Sequence, residues 1–238
     1  MVLAEMLPAT APAEPLPPRP WNPSGTDSFE ALLAREGAAG EGAPRLIVSH
    51  APVSLLPASL VPGGTGKLVV VARDPKDVVT SNFFFMGTPA DGWDGSMNRF
   101  LAPADETPNA FGGWFEHVAS AEQRVAELGP ERGCLVEYED MHMDMPAVLT
   151  RLAQTLGPEA ESRLAEGMSS ICEALGFEVM KGSEHHGKFL RKGQPGNWRE
   201  HFQGDDEARM AEALEARLPH GSSLGRASWR STTPTDSS

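Results

Sequence analysis

Apolar positions along the chain fall into two patterns, short β-branched runs and longer stretches with helical spacing. The segments RLIVS, from Arg45, and KLVVVAR, from Lys67, are apolar runs bounded by turn residues, and each predicts a short buried strand. Asp74 then supplies a helix cap and Pro75 a first helical position, which predicts a helix running to about Met86. A loop rich in Gly, Asp and Pro follows. Beyond it, PNAFGGWFEHVASAEQRVAEL carries apolar residues at helical spacing, and CLVEYED reads as a third strand. PAVLTRLAQTLG is an amphipathic helix stopped by Gly157, with a further helix from Glu159 to Leu175 and another from about Asp205 to Leu218. Strands that alternate with helices predict an α/β domain whose parallel sheet is covered on both faces.

The flanking segments have a different character. Residues 1–44 are rich in Pro, Ala, Gly and Glu and hold at most one short helix, around Ser28 to Arg35; they read as mostly irregular. The expected domain occupies 45–218, and the polar tail, 219–238, reads as disordered. No internal repeat is found.

Composition narrows the functional classes. The 238 residues suffice for one sizeable domain, and the hydrophobic fraction of 40% supplies a core. With 20 basic and 33 acidic residues the formal charge is −13, which disfavours nonspecific binding to nucleic acid or to an anionic membrane. Cys134 and Cys172 are the only cysteines; they form neither a disulfide framework nor a metal-binding spacing, so a reducing compartment and no metal are expected. No run approaches the ~20 apolar residues of a membrane span, and the N-terminus lacks a basic region followed by an apolar one. A cytoplasmic protein is expected.

Against that acidic background two cationic segments stand out. Arg73 ends an apolar strand, where ligands bind in open parallel sheets. The helix starting at Pro75 offers unpaired N–H groups and a positive dipole end, and Ser81 adds a hydroxyl two turns on. Together they suit a phosphate, although Arg73 could equally pair with Asp74 or Asp77. The second segment, FLRKGQPGNWREHF, sets Arg191, Lys192 and Arg199 around Gly193 and Gly196. Arginine brings a fork of donors, lysine a mobile charge, and glycine a backbone N–H that approaches an oxyanion closely. A solvated basic loop is the plainer alternative.

Taken together, these segments resemble the cytosolic sulfotransferases that use 3′-phosphoadenylyl sulfate (PAPS). VVVARDPKDVVTSNFFF resembles that family's Arg-Asn-Pro-Lys-Asp segment and Ser-bearing helix; FLRKGQPGNWREHF resembles its Arg-Lys-Gly-x-x-Gly-Asp-Trp-Lys motif. LVEYEDMHMDMPAVLTRLAQTLG and PRLIVSHAPVSLLP resemble two further family segments, so the likeness runs from about Arg19 to Phe202. The resemblance implies a P-loop-kinase-like parallel sheet flanked by helices, and sulfuryl transfer from PAPS to a hydroxyl or amine of a small acceptor. It implies that Arg73, Ser81, Arg191, Lys192 and the Gly193 backbone hold the 3′-phosphate of the cofactor and that Tyr138 lies near the adenine. It makes His50 the catalytic base, a role suited to a near-neutral imidazole. Trp21, Phe83, Phe84 and Phe85 would line an apolar acceptor pocket, or simply the core.

The sequence also departs from the family. Its phosphosulfate loop, Tyr-Pro-Lys-Ser-Gly-Thr-Thr-Trp, is not found. NPSGTDSF lacks the lysine and a preceding strand, and PGGTGK precedes a strand and has Leu68 in place of Ser/Thr. By this alignment the loop falls upstream of Met1, so the fold is expected to lack its first strand and helix. Losing that loop would remove several charge-assisted hydrogen bonds of about 1.5–3 kcal/mol each. Val48 and Ser49 stand where the family has Lys and Thr, Asn197 where it has Asp, and Leu175-Gly176 where it has Thr-Ser. The family's dimer motif is not recognisable, so a dimer is not assumed. Three alternatives therefore stand beside an active enzyme: a noncatalytic relative that only binds a nucleotide 3′-phosphate or a partner, a P-loop nucleotide kinase, whose complete phosphate loop is not visible, and a nucleic-acid-binding module. The last is disfavoured by the charge.

Overall fold

The computed structural model describes residues 53, 56, 60, 62–85, 89–103, 106, 113–176, 192–218 and 222. The segment RLIVS, the Ser28 to Arg35 helix and the tail apart from Ser222 lie outside the described residues.

Two parallel strands form the described sheet. β1 (Leu68–Ala72) pairs in register with β2 (Gly133–Glu137), from Leu68 opposite Gly133 to Ala72 opposite Glu137. α1 (Pro75–Phe85), α2 (Gly92–Leu101) and α3 (Trp114–Leu128) lie between them in sequence. α4 (Tyr138–Met143), α5 (Met145–Leu156), α6 (Pro158–Ala174), a 3₁₀ turn at Asn197–Glu200 and α7 (Asp206–Arg217) follow.

The pleat divides the core into two layers, because successive side chains of a strand point to opposite faces. Cys134 and Val136 pack with Val148, Leu149 and Leu152 of α5 and Leu164 and Ile171 of α6. On the other face Ala72 and Leu135 meet Val79 of α1, Met97 of α2, Phe115 and Val118 of α3, and Met210 and Leu214 of α7. The sheet is therefore covered on both faces, as the alternation of strands and helices predicts.

Two elements differ from the sequence reading. α2 lies in the segment read as loop, because Gly92, Gly95 and Asp94 mask its helical pattern. It is held from a distance: Met97 is fully buried, Trp93 Nε1 donates to Asp206 at 2.7 Å, and Arg209 donates to Asn98 at 2.5 Å. The third strand ends at Glu137, so Tyr138 opens α4 rather than closing the strand. There the Asp74 N–H donates to Glu139 at 3.0 Å, a contact between residues 65 apart that no local pattern reveals.

Candidate functional site

Arg73 and Tyr138 directly follow the last register pair of the two parallel strands, at their carboxyl ends. The Arg73 guanidinium carbon sits 4.5 Å from the centre of the Tyr138 ring, within cation–π range. Its Nη2 lies 3.6 Å from an oxygen of Asp77 and donates to the Gln194 carbonyl at 3.4 Å. Its Nε–H is buried and has no hydrogen-bond partner among the described residues. A buried donor left without an acceptor costs about 1–3 kcal/mol, so such a group is a candidate contact for a ligand.

Beside Arg73 lies a cavity of about 240 Å³, lined also by Val78, Ser81, Asn82 and Phe85. The helical spacing of α1 explains the set, since residues 78, 81, 82 and 85 share one face. Asn82 is a polar lining group that the sequence reading passed over; its signal was adjacency to Ser81 on the Arg73 side of α1. Phe85 is half-exposed at this cavity. Phe83 instead stacks edge-on against Phe84 and Trp93, and Phe84 against His201, so the three phenylalanines do not form one surface.

The second cationic segment meets the first across 121 residues of sequence. Asp77, fully buried in α1, accepts the Gly196 N–H at 2.6 Å and the Trp198 N–H at 3.0 Å. Gly196 reaches this position with φ +82°, a left-handed conformation that favours glycine. The buried Trp198 ring has Lys76 Nζ 4.0 Å from its centre and the Arg199 guanidinium carbon at 4.5 Å. Arg199 therefore stacks on Trp198. Lys192 pairs with Glu200 and remains partly exposed, and Gly193 is left-handed at φ +64°. Trp21, His50 and Arg191 lie outside the described residues.

Carboxylates crowd beneath the arginine. Burial pushes the Asp74 carboxyl up to about 7, opposed by the nearby Lys76 ammonium and the Lys76 N–H, which donates to Asp74 at 2.9 Å. Burial raises the Glu139 carboxyl and the Tyr138 hydroxyl as well, and lowers the Lys76 ammonium. His142, whose ring centre is 4.7 Å from that of Tyr138, is lowered by burial and by the Arg73 charge. The arrangement can offer an anion a forked cation, a hydroxyl and a side-chain amide beside an aromatic ring.

The sulfotransferase domain family matches residues 32–221, and the chain belongs to that family. Mouse sulfotransferase 2B1 is 26% identical over 219 residues, covering 85% of this chain and 60% of the relative. Human sulfotransferase 4A1 is 33% identical over 134 residues, covering 56% of this chain and 45% of the relative. The chain thus spans about half of the length of the curated relatives it matches. Among solved structures, mouse sulfotransferase SULT7A1 complexed with PAP superposes with a TM-score of 0.62 at 24% identity, covering 77% of this chain and 68% of that one. Retinol dehydratase in a complex with retinol and PAP gives 0.60 at 25%, covering 78% and 57%. These likenesses agree with the P-loop-like parallel α/β architecture read from the sequence. Among the described residues no helix is long and apolar enough to cross a membrane.

Proposed function

We propose that this chain transfers a sulfuryl group from PAPS to a hydroxyl or amine of a small acceptor. The observation that carries the reading is the Arg73 Nε–H, a buried donor without a partner among the described residues, beside the cavity that Ser81 and Asn82 line. A 3′-phosphate fits this donor set: Arg73 at the end of β1 and Ser81 on α1 hold it from one side, and Arg191, Lys192 and the Gly193 N–H hold it from the basic loop. Tyr138 lies near the adenine, and Phe85 borders the acceptor, a role that the family resemblance extends to Trp21. His50 removes the acceptor proton as its oxygen or nitrogen attacks. The bound donor supplies the sulfuryl group, and adenosine 3′,5′-bisphosphate leaves as the S–O bond breaks. No metal is required, and the reaction suits a soluble cytoplasmic protein whose small-molecule acceptor is the only partner it needs.

A second reading, a relative that keeps the 3′-phosphate clamp without transfer, is favoured by Val48, where the family has a lysine. Calorimetric titration with adenosine 3′,5′-bisphosphate, followed by a sulfate-transfer assay over phenols, alcohols and amines, separates the two. Binding with transfer supports the enzyme, binding without transfer supports the clamp alone, and no binding by the folded chain overturns both.

A further inference from the structure

Asp77 holds a position that the phosphate-clamp reading leaves unused. It is 1% exposed, and among the described residues its cation is Arg73, whose Nη2 at 3.6 Å is an ion-pair contact longer than a hydrogen bond. Both oxygens instead accept main-chain N–H groups of the basic loop, from Gly196 at 2.6 Å and Trp198 at 3.0 Å. A carboxylate accepts through both oxygens at once, which an asparagine side chain does not. The short Gly196 contact has the length of a charge-assisted bond. The same loop supplies the Gln194 carbonyl that receives Arg73 Nη2, so α1, the loop and the arginine meet at one carboxylate.

We propose that Asp77 is a positioning residue that docks the Gln194–Trp198 turn on α1 and thereby fixes the spacing between Arg73 and the loop cations. The docking is independent of any ligand, and its consequence for nucleotide affinity rests on the 3′-phosphate reading above. In Asp77→Asn the side chain keeps its shape, but its NH₂ group faces a main-chain N–H, leaving one loop donor unpaired and the other bond weaker. The loop then leaves α1 more often, exposing the peptide bonds after Lys192 and Arg199.

Trypsin applied to the full folded chain without nucleotide, with fragments identified by mass spectrometry, reads this docking directly. Cleavage after Lys192 and Arg199 is expected to accelerate about tenfold in Asp77→Asn relative to cleavage at other sites, a factor matching about 1.4 kcal/mol of lost docking. Gly196→Ala disturbs the same contact from the loop side, because alanine resists φ +82°, and supplies the same readout should the buried variant fail to fold. Calorimetry with adenosine 3′,5′-bisphosphate is expected to show affinity about 10- to 100-fold lower in either variant. Arg73→Ala should cost less in the Asp77→Asn background than in the wild type, which a purely structural role would not produce. Unchanged loop cleavage in the folded variants overturns the inference. Faster cleavage in a chain that never binds the bisphosphate supports the docking role and overturns only the nucleotide reading.

Discussion

Arg73 lies against the face of Tyr138, 4.5 Å from the ring centre, although the two residues are 65 positions apart. Parallel pairing produces the contact, since each is the first residue beyond a paired strand end. The tyrosine holds the guanidinium over the end of the sheet, beside the cavity formed by α1.

Arg73→Lys keeps the charge and loses the planar fork, so its affinity for adenosine 3′,5′-bisphosphate is expected to fall about 10- to 100-fold by calorimetry. Tyr138→Phe keeps the aromatic face and should stay within about threefold of the wild type. Tyr138→Ala should weaken binding clearly. Equal effects of Phe and Ala would mean that the ring face does not position the arginine.

Asp74 gives the fold a pH dependence of definite sign. Its folded pKa, about 7, lies above the unfolded value of 3.8, so the neutral form is favoured by folding. Its contribution to stability is complete below the unfolded pKa and is lost as pH rises through the folded one. Asp74→Asn keeps an oxygen that accepts the Lys76 N–H but never ionises. Relative to wild type, the variant should therefore gain stability on the order of 2 kcal/mol between about pH 5 and about pH 8, in urea melts. A constant difference across that range would show that Asp74 does not titrate there.

The phenylalanine run separates into different roles. Phe85 is 52% exposed beside the cavity, so Phe85→Ala should change stability by less than about 0.5 kcal/mol while altering the KM for an apolar acceptor. Phe83, stacked on Trp93 at 5.4 Å between ring centres, joins α1 to α2. Phe83→Ala should lower stability by about 1–3 kcal/mol. Equal melting midpoints for the two variants would contradict this division.

Much of the architecture was legible in the chain itself. A β-branched run identifies β1 and a short apolar run β2, Asp74-Pro75 starts α1, and Gly157 stops α5, because these signals depend on neighbours a few residues away. Arg73 and the glycine-rich basic loop were visible as separate cationic segments for the same reason. α2 was not, since its glycines and Asp94 disfavour an isolated helix and it is held by Met97 burial and by Asp206 and Arg209 of α7. Tertiary structure alone decided that Tyr138 supports Arg73 and that Asp77 receives the loop. In the sequence Asp77 was legible only as a possible partner for Arg73; its two loop N–H bonds make it mainly a junction between distant segments. Short-range propensity fixes where elements start and stop. Long-range burial and unpaired polar groups settle which of them meet, and those appear only once the chain has folded.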